Sequence, residues 1–293
     1  MKKFLLMATA MAVLFSQKAS AKTYSAFYGT YIDYSSGNKT SGYSGTFYLN
    51  TGDLYQSTSF GISATRVEEK TEETVSFQGK QRTEIVTDYI DQLDFTLLYT
   101  NTDKILKNHI FSFGFHYILT DDKSTNNGSI FYFDGTYFKP YNWNSGLEFA
   151  VSFYPSTKVF QFVPHLGKYF YTKNFTYYTW VKGYYIKVGD TADFAFSKTN
   201  YFSGEFGVHF YKGNFDAGVF LWGGEQVFAV KNSGFVVYNL GDVYKGGIVF
   251  DGGYKIDKNY RVGFTASLNR FEYPDTGENA VQTSVTGYVG YTW

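Results

Sequence analysis

Apolar and polar residues alternate along most of the chain with a period of two. In HIFSFGFHYILT, for example, Phe111, Phe113 and Phe115 share one parity, while Ser112 and His116 share the other. Successive side chains of a strand point to opposite faces, so the alternation predicts strands with one apolar and one polar face. About fourteen such segments follow one another, and about twelve or sixteen strands are also compatible with the pattern. The segments are 23–34, 41–50, 54–66, 84–99, 109–120, 129–138, 146–154, 159–170, 175–187, 201–211, 215–224, 243–256, 260–271 and 280–293.

The connections between these segments are alternately short and long. NTGD, YKGN and DKN are short, whereas VEEKTEETVSFQGKQR and GEQVFAVKNSGFVVYNLGD, on the opposite set, are long. One connection, YPSTK, is short where a long one is expected. Short turns at one rim and long loops at the other are typical of outer-membrane barrels, in which the long loops are extracellular.

A soluble β-sandwich would also show the alternation, because its apolar faces pack between two sheets. Here the apolar faces are rich in aromatic residues, and the segments are close to the length of a tilted membrane strand. An even number of strands places both chain ends at one rim, where the first and last strands can pair. We therefore predict an all-β protein, a closed antiparallel transmembrane β-barrel, because an open sheet edge in lipid would leave backbone groups unsatisfied.

Composition agrees with an all-β membrane protein. The chain contains 31 Phe, 29 Tyr and 30 Gly but only 4 Pro and no Cys, so hydrogen bonds and packing must hold the fold together. Lys and Arg number 26, and Asp and Glu also number 26. Such a balance argues against a nucleic-acid partner, which would require a basic surface.

The N-terminus predicts a secretory signal peptide over residues 1–21. Lys2 and Lys3 precede the apolar run FLLMATAMAVLF, and small residues end the segment at Ala21. A membrane anchor is the alternative, but the apolar run is short for a bilayer span. The second predicted domain, residues 22–293, is the barrel with its turns and loops. It carries 23 basic and 26 acidic residues, because the signal contains three lysines and no acid.

The chain ends in SVTGYVGYTW, in which Val285, Val289, Tyr291 and Trp293 share one parity. This strand resembles the C-terminal signature of bacterial outer-membrane β-barrels, although no narrower family is indicated. The resemblance implies an outer-membrane location and contact with the lipid bilayer and lipopolysaccharide. It also implies recognition by the barrel-assembly machinery, with Val289, Tyr291 and Trp293 as the assembly signal.

The polar parity of each strand predicts the residues that line the lumen. The acidic candidates are Glu84, Asp88, Asp94, Asp134, Glu148, Glu205, Asp216 and Asp251, the basic ones are Lys182, Lys245, Lys255 and Arg261, and the histidines are His116, His165 and His209. Mutual ion pairs that keep the interior polar would explain most of these residues. The excess of acid predicts a modest preference for cations.

No motif for catalysis, a metal or a cofactor stands out. The histidines fall on different strands without metal-ligand spacing, and Ser112 and His116 would lie about 13 Å apart along one strand. The sequence therefore predicts a porin-like channel for passive diffusion of small hydrophilic solutes, and not an enzyme. A structural or surface-interaction barrel with an occluded lumen is the leading alternative, a barrel enzyme is third, and transport of hydrophobic solutes is left open.

Overall fold

The chain forms a closed antiparallel barrel of fourteen strands with a two-stranded sheet in one of its loops. The computed structural model describes residues 22–77, 80–189 and 194–293, with only the backbone at 72–77, 80 and 81. The predicted signal peptide, residues 1–21, lies outside the described residues. The structure thus confirms the predicted fold class and the count of fourteen strands.

The barrel strands follow one another around the wall in chain order. They are β1 (Lys22–Tyr34), β2 (Lys39–Gly52), β3 (Gln56–Phe77), β4 (Lys80–Thr102), β5 (His109–Thr120), β6 (Ser129–Lys139), β7 (Trp143–Phe153), β8 (Lys158–Tyr171), β9 (Thr176–Val188), β10 (Asn200–Lys212), β11 (Phe215–Gln226), β14 (Val243–Lys255), β15 (Tyr260–Glu272) and β16 (Asn279–Thr292). The loop between β11 and β14 holds β12 (Val230–Lys231), the 3₁₀ turn η1 (Asn232–Gly234) and β13 (Val236–Val237). Among the described residues, no helix is long and apolar enough to cross a membrane.

The outer surface of the barrel is apolar. Phe27, Phe113, Phe206 and Val285 each leave half or more of their surface exposed and point away from the lumen. A water-soluble protein would not expose such a continuous apolar surface, whereas lipid covers it at no cost. The closed barrel and this surface confirm the predicted location in the outer membrane.

The two ends of the chain close the barrel. β1 pairs with β16 from Tyr24 opposite Thr292 to Tyr34 opposite Gln282. Beyond this ladder, the backbone N–H of Trp293 donates to the carbonyl of Thr23 at 3.0 Å. No backbone edge is therefore left open to lipid between the first and last strands.

The predicted long loop over residues 67–82 is instead part of a long hairpin. β3 continues to Phe77 and β4 begins at Lys80, and their pairing is unbroken from Gln56 opposite Asn101. β4 pairs with β5 only from Gln92 onward, so the hairpin projects beyond the rim. The prediction was wrong here because the charged residues suggested a loop, whereas a two-stranded ribbon in water tolerates charge on both faces.

Candidate functional site

A large part of the lumen wall is rich in hydroxyl groups. Serines and threonines on the inward faces of β1–β5, β15 and β16 hydrogen-bond to one another across neighbouring strands. The pairs are Thr30–Thr286 at 2.8 Å, Thr46–Ser63 at 2.8 Å, Ser267–Ser284 at 2.7 Å and Thr100–Ser112 at 3.1 Å. These short side chains satisfy each other and leave the space in front of them open to solute or water.

The lumen wall also carries charged side chains in direct contact. Lys182 Nζ on β9 lies 2.7 Å from Glu148 Oε1 on β7, and Arg261 on β15 lies 2.6 Å from Asp216 on β11. Removing one partner of such a pair would leave a charge with little water around it, which is strongly destabilising. These contacts fit the structural role that the sequence suggested for most lumen charges.

Each of the three lumen histidines lies beside a carboxylate. His116 Nε2 is 3.3 Å from Asp94 Oδ1, and His165 Nδ1 is 3.5 Å from Glu148 Oε1. The threonines beside them, Thr96 and Thr136, contact the other ring nitrogens at 2.8 and 2.9 Å. Such threonine contacts fix the orientation of both rings.

The third histidine belongs to a compact charged group. His209 Nε2 is 3.1 Å from Asp216 Oδ2, and its Nδ1 is 3.5 Å from Asp251 Oδ2. Within the described part of the chain, these three residues form the one group of at least three side chains with ligand atoms close enough to share a metal ion. Arg261 already neutralises Asp216, however, so the arrangement is that of a salt-bridge network.

The loop over residues 227–242, here called the inward loop, folds into the lumen. Val227, Phe228, Ala229 and Val230 are almost completely buried. They pack against inward-facing residues of strands β4–β10: Leu98, Ile118, Ile130, Tyr132, Ala150, Val159, Ile186, Val188 and Tyr201. Phe228 also contacts the ring of Tyr154 at the rim, with 5.0 Å between the centroids. The inward loop therefore has a hydrophobic core of its own inside the barrel.

Polar contacts hold the inward loop at its first strand. Gln161 on β8 donates from Nε2 to the carbonyl of Val230 at 2.7 Å and accepts from its backbone N–H at 2.9 Å. The Gln161 side chain thus pairs with both backbone groups of the buried residue Val230. Leaving these two groups unpaired would be costly. Further along, Asn239 donates to Gln92 Oε1 at 2.7 Å.

A buried ion pair holds the end of the inward loop at the outer rim. Both carboxylate oxygens of Asp242 accept hydrogen bonds from Lys39 Nζ, at 2.7 and 2.8 Å. The two side chains are 3% and 5% exposed, so the pair is shielded from water. Burial raises the pKa of Asp242, and the Lys39 ammonium opposes that rise.

A cavity of about 300 Å³ remains between the inward loop and the hydroxyl-rich wall. Its wall side includes Thr30, Ser44, Thr46, Ser63, Thr65, Asp94 and Thr96, and its loop side includes Phe235, Val236, Val237 and Leu240. Phe235 packs against Tyr48 with 5.4 Å between the ring centroids. Gly61 lies under the Phe235 ring, which a Cβ at this position would approach to 2.9 Å. The Phe235 ring therefore packs directly against the wall at this cavity.

The structure places most of the predicted lumen residues on the inward face of the wall. These are Asp94, His116, Asp134, Glu148, His165, Lys182, Glu205, His209, Asp216, Asp251 and Arg261. Lys245 lies at an irregularity of β14 and pairs with Glu225 and Glu272. Glu84 and Asp88 lie in the projecting hairpin, where β4 pairs only with β3.

The assembly-signal residues lie at the rim that holds the chain ends. Val289 and Trp293 are more than half exposed on the outer surface. The ring of Tyr291 contacts those of Tyr260 and Trp293, with centroids 4.8 and 5.1 Å apart. These positions put an aromatic patch where the barrel meets the edge of the bilayer, and their recognition during assembly stays a prediction.

Sequence reasoning missed the residues of the inward loop and its anchors. Gln161 holds the inward loop, and Lys231 and Phe235 belong to it. The sequence predicted this loop to be extracellular, so none of the three residues was a candidate. A signal was present, because VFAV and FVV are more apolar than a solvated loop should be. Such a loop has to bury its apolar residues, and the lumen is the space available beside it.

The comparisons with known proteins agree with the architecture. No family model and no curated protein matches the chain. A solved structure of a TodX deltaS2S3 mutant monoaromatic hydrocarbon channel matches with a TM-score of 0.54 at 9% identity, over 96% of this chain and 91% of that chain. The fold is that of an outer-membrane β-barrel.

Two further solved structures support the same fold. A bacterial polysaccharide outer membrane secretin gives a TM-score of 0.53 at 8% identity, over 93% of this chain and 98% of that one. The toluene transporter TodX of P. putida gives 0.51 at 10% identity, over 96% and 91%. At such low identities the likeness extends to the fold of the barrel and not to a solute.

Proposed function

We propose that the protein is an outer-membrane channel for passive diffusion of small hydrophilic solutes, narrowed by the inward loop. The observation that carries the proposal is the cavity between this loop and the hydroxyl-rich wall. Barrels of eight strands are filled by side chains, and barrels of sixteen to eighteen leave an aqueous channel. A fourteen-stranded barrel has room for a pore that one loop can constrict.

The polar side of the cavity favours hydrophilic solutes. The structurally similar TodX is described as a toluene transporter, and toluene is an apolar solute. In this lumen, however, hydroxyl groups of Thr46 and Ser63 and the carboxylate of Asp94 face the cavity. An apolar solute would remove water from the remaining lone pairs of these groups without replacing its hydrogen bonds.

A modest preference for cations is part of the proposal. The inward wall carries six acids, Asp94, Asp134, Glu148, Glu205, Asp216 and Asp251, against Lys182, Arg261, Lys255 opposite Arg261, and the loop residue Lys231. Among the described residues, Asp134 has no ion-pair partner within 4.0 Å and accepts a hydrogen bond from Thr136 at 2.9 Å. No salt bridge compensates its charge, and acidic groups in a pore favour cations.

We also propose that the barrel is not an enzyme. The serine and histidine that the sequence places on one inward face do not contact each other. Ser112 Oγ hydrogen-bonds with Thr100 Oγ1 at 3.1 Å, and His116 Nδ1 hydrogen-bonds with Thr96 Oγ1 at 2.8 Å. A nucleophile would need its base within hydrogen-bond reach.

Planar-bilayer recordings test the channel proposal. The wild-type barrel should give small stepwise currents, and a variant with residues 228–240 replaced by a short Gly-Ser turn should give steps several times larger. Shortening the β3–β4 hairpin, which lies beyond the rim, is the matched control and should leave the step size unchanged. If both the wild-type and the loop-shortened barrels fold but carry no current, the lumen is occluded and the structural-barrel alternative holds.

Reversal potentials in a potassium chloride gradient test the cation preference. Asp134→Asn should reduce the preference, which should also weaken at high salt because mobile ions screen the charge. Thr136→Val is the control, since it removes a hydrogen bond to the same carboxylate and leaves the charge in place. Anion selectivity in the wild-type barrel would contradict this part of the proposal.

A further inference from the structure

The inward loop places one ammonium group in an aromatic box. Lys231 Nζ lies 4.7 Å from the ring centroid of Trp222, 5.2 Å from that of Tyr184 and 5.7 Å from that of Tyr238. The same nitrogen donates a hydrogen bond to Glu205 Oε2 at 3.2 Å. A cation among several aromatic faces beside a carboxylate is the chemistry by which proteins recognise alkylammonium groups.

Most of this box belongs to the barrel wall and not to the loop. Tyr184 is on β9, Glu205 on β10 and Trp222 on β11, whereas Lys231 and Tyr238 come from the inward loop. Four groups contact the Lys231 ammonium, and three of them belong to the wall. If the inward loop withdrew, these three would stay in place. They would then face the lumen without the ammonium that now compensates Glu205.

The wall residues of the box are held in position by contacts that do not involve Lys231. Glu205 accepts hydrogen bonds from Trp180 Nε1 at 3.2 Å and from the Tyr184 hydroxyl at 3.3 Å. Trp222 Nε1 donates to Asn269 Oδ1 at 3.3 Å. The side chains of Lys231 and Glu205 are each 11% exposed, so the site is largely shielded from water. A preorganised and partly dry site strengthens the attraction of a cation to aromatic rings.

We infer that Trp222, Tyr184 and Glu205 form a binding site for the alkylammonium group of a solute, which Lys231 occupies when the inward loop is closed. Lys231 then acts as a tethered competitor, so an alkylammonium ion and the closed loop exclude each other. The inference rests on the proposed channel only for the route by which the solute arrives. Binding itself needs only the folded barrel.

Titrations of the full-length folded protein in detergent micelles test the site. The probe is n-butylammonium, which reproduces the end of a lysine side chain, and n-butanol is its neutral control, both at constant ionic strength. Lys231→Met should bind n-butylammonium at least tenfold more tightly than the wild type does, with no corresponding gain for n-butanol. Adding Trp222→Leu to Lys231→Met should abolish that gain. Equal binding of both probes by Lys231→Met, or an unchanged affinity after Trp222→Leu, would overturn the inference.

A measurement on the wild-type barrel covers the case in which the variants fail to fold. Lys231 should be poorly acetylated by an amine-reactive reagent, because its side chain is 11% exposed. Saturating tetramethylammonium, which cannot consume the reagent, should increase modification of Lys231 severalfold as the loop is displaced. Lys104, in the short β4–β5 turn, should be unaffected. No increase at Lys231 would contradict the inference even if bilayer currents showed that the barrel conducts.

Discussion

Replacing Gln161 with leucine should open the inward loop. Gln161 makes two hydrogen bonds to the backbone of Val230, one as donor and one as acceptor, and both partners are almost completely buried. Leucine has a similar volume but cannot make either bond. In the closed arrangement, the N–H and the carbonyl of Val230 would then be buried without partners.

The expected shift toward the open loop follows from the cost of leaving the N–H and the carbonyl of Val230 unpaired. Each buried polar backbone group left unpaired costs about 1–3 kcal/mol, whereas water satisfies both groups when the loop is open. Partial relaxation around the site should keep the total cost of the two unpaired groups at about 2–4 kcal/mol. At about 1.4 kcal/mol for each factor of ten, the ratio of open to closed loop should rise roughly 30- to 700-fold.

Single-channel recordings measure this ratio as the fraction of time spent at the larger step size. Asn144→Leu is the matched control, because Asn144 also makes two side-chain hydrogen bonds, both to Tyr178, and does not contact the inward loop. The control should lower the stability of the barrel without changing the open fraction. If Gln161→Leu folds and its open fraction stays within about twofold of the wild type, the two bonds do not control the loop.

Three further outcomes are expected. Val285→Lys, on the outer face of β16, should cost about 2–4 kcal/mol of stability in urea titrations in vesicles. Ser284→Lys, which faces the lumen, should cost less. The reverse order of the two costs would mean that the outer and inner faces of β16 are assigned the wrong way round. Trp293→Lys should lower the yield of barrel with heat-modifiable gel migration in cells, and insertion at the wild-type level would refute an assembly role. Asp242→Asn should destabilise the barrel by about 3–5 kcal/mol because it leaves Lys39 buried and unpaired, and adding Lys39→Met should recover most of that loss in urea titrations.

The faces of the strands could be predicted from the sequence because they depend only on local alternation. Phe113 and Phe115 point outward and His116 points inward, as the period of two requires. Lipid outside and a polar lumen inside make the wrong parity costly along the whole strand, so register is strongly specified. The inward position of Lys182 was predictable because the opposite parity would have pointed its charge at the apolar face.

The contacts within the lumen could not be predicted in the same way. Glu148 and Lys182 come from β7 and β9, which are separated by β8, and their meeting depends on the stagger of both intervening ladders. His165 lies between them on β8. A shift of two residues in one ladder would keep every face correct and break these contacts. Alternation therefore fixes which side chains enter the lumen and leaves their partners open.

The inward loop shows why counting charges along the strands misjudged the lumen. Lys231 lies in a predicted loop, yet it compensates Glu205 inside the barrel. Conversely, Glu84 and Asp88 have the inward parity but project beyond the rim, where water and salt screen them. The potential in the pore is therefore set by the acids that remain unpaired between the rims once the loop is in place. Because Lys231 leaves the lumen with the loop, opening the loop should both widen the pore and make it more selective for cations.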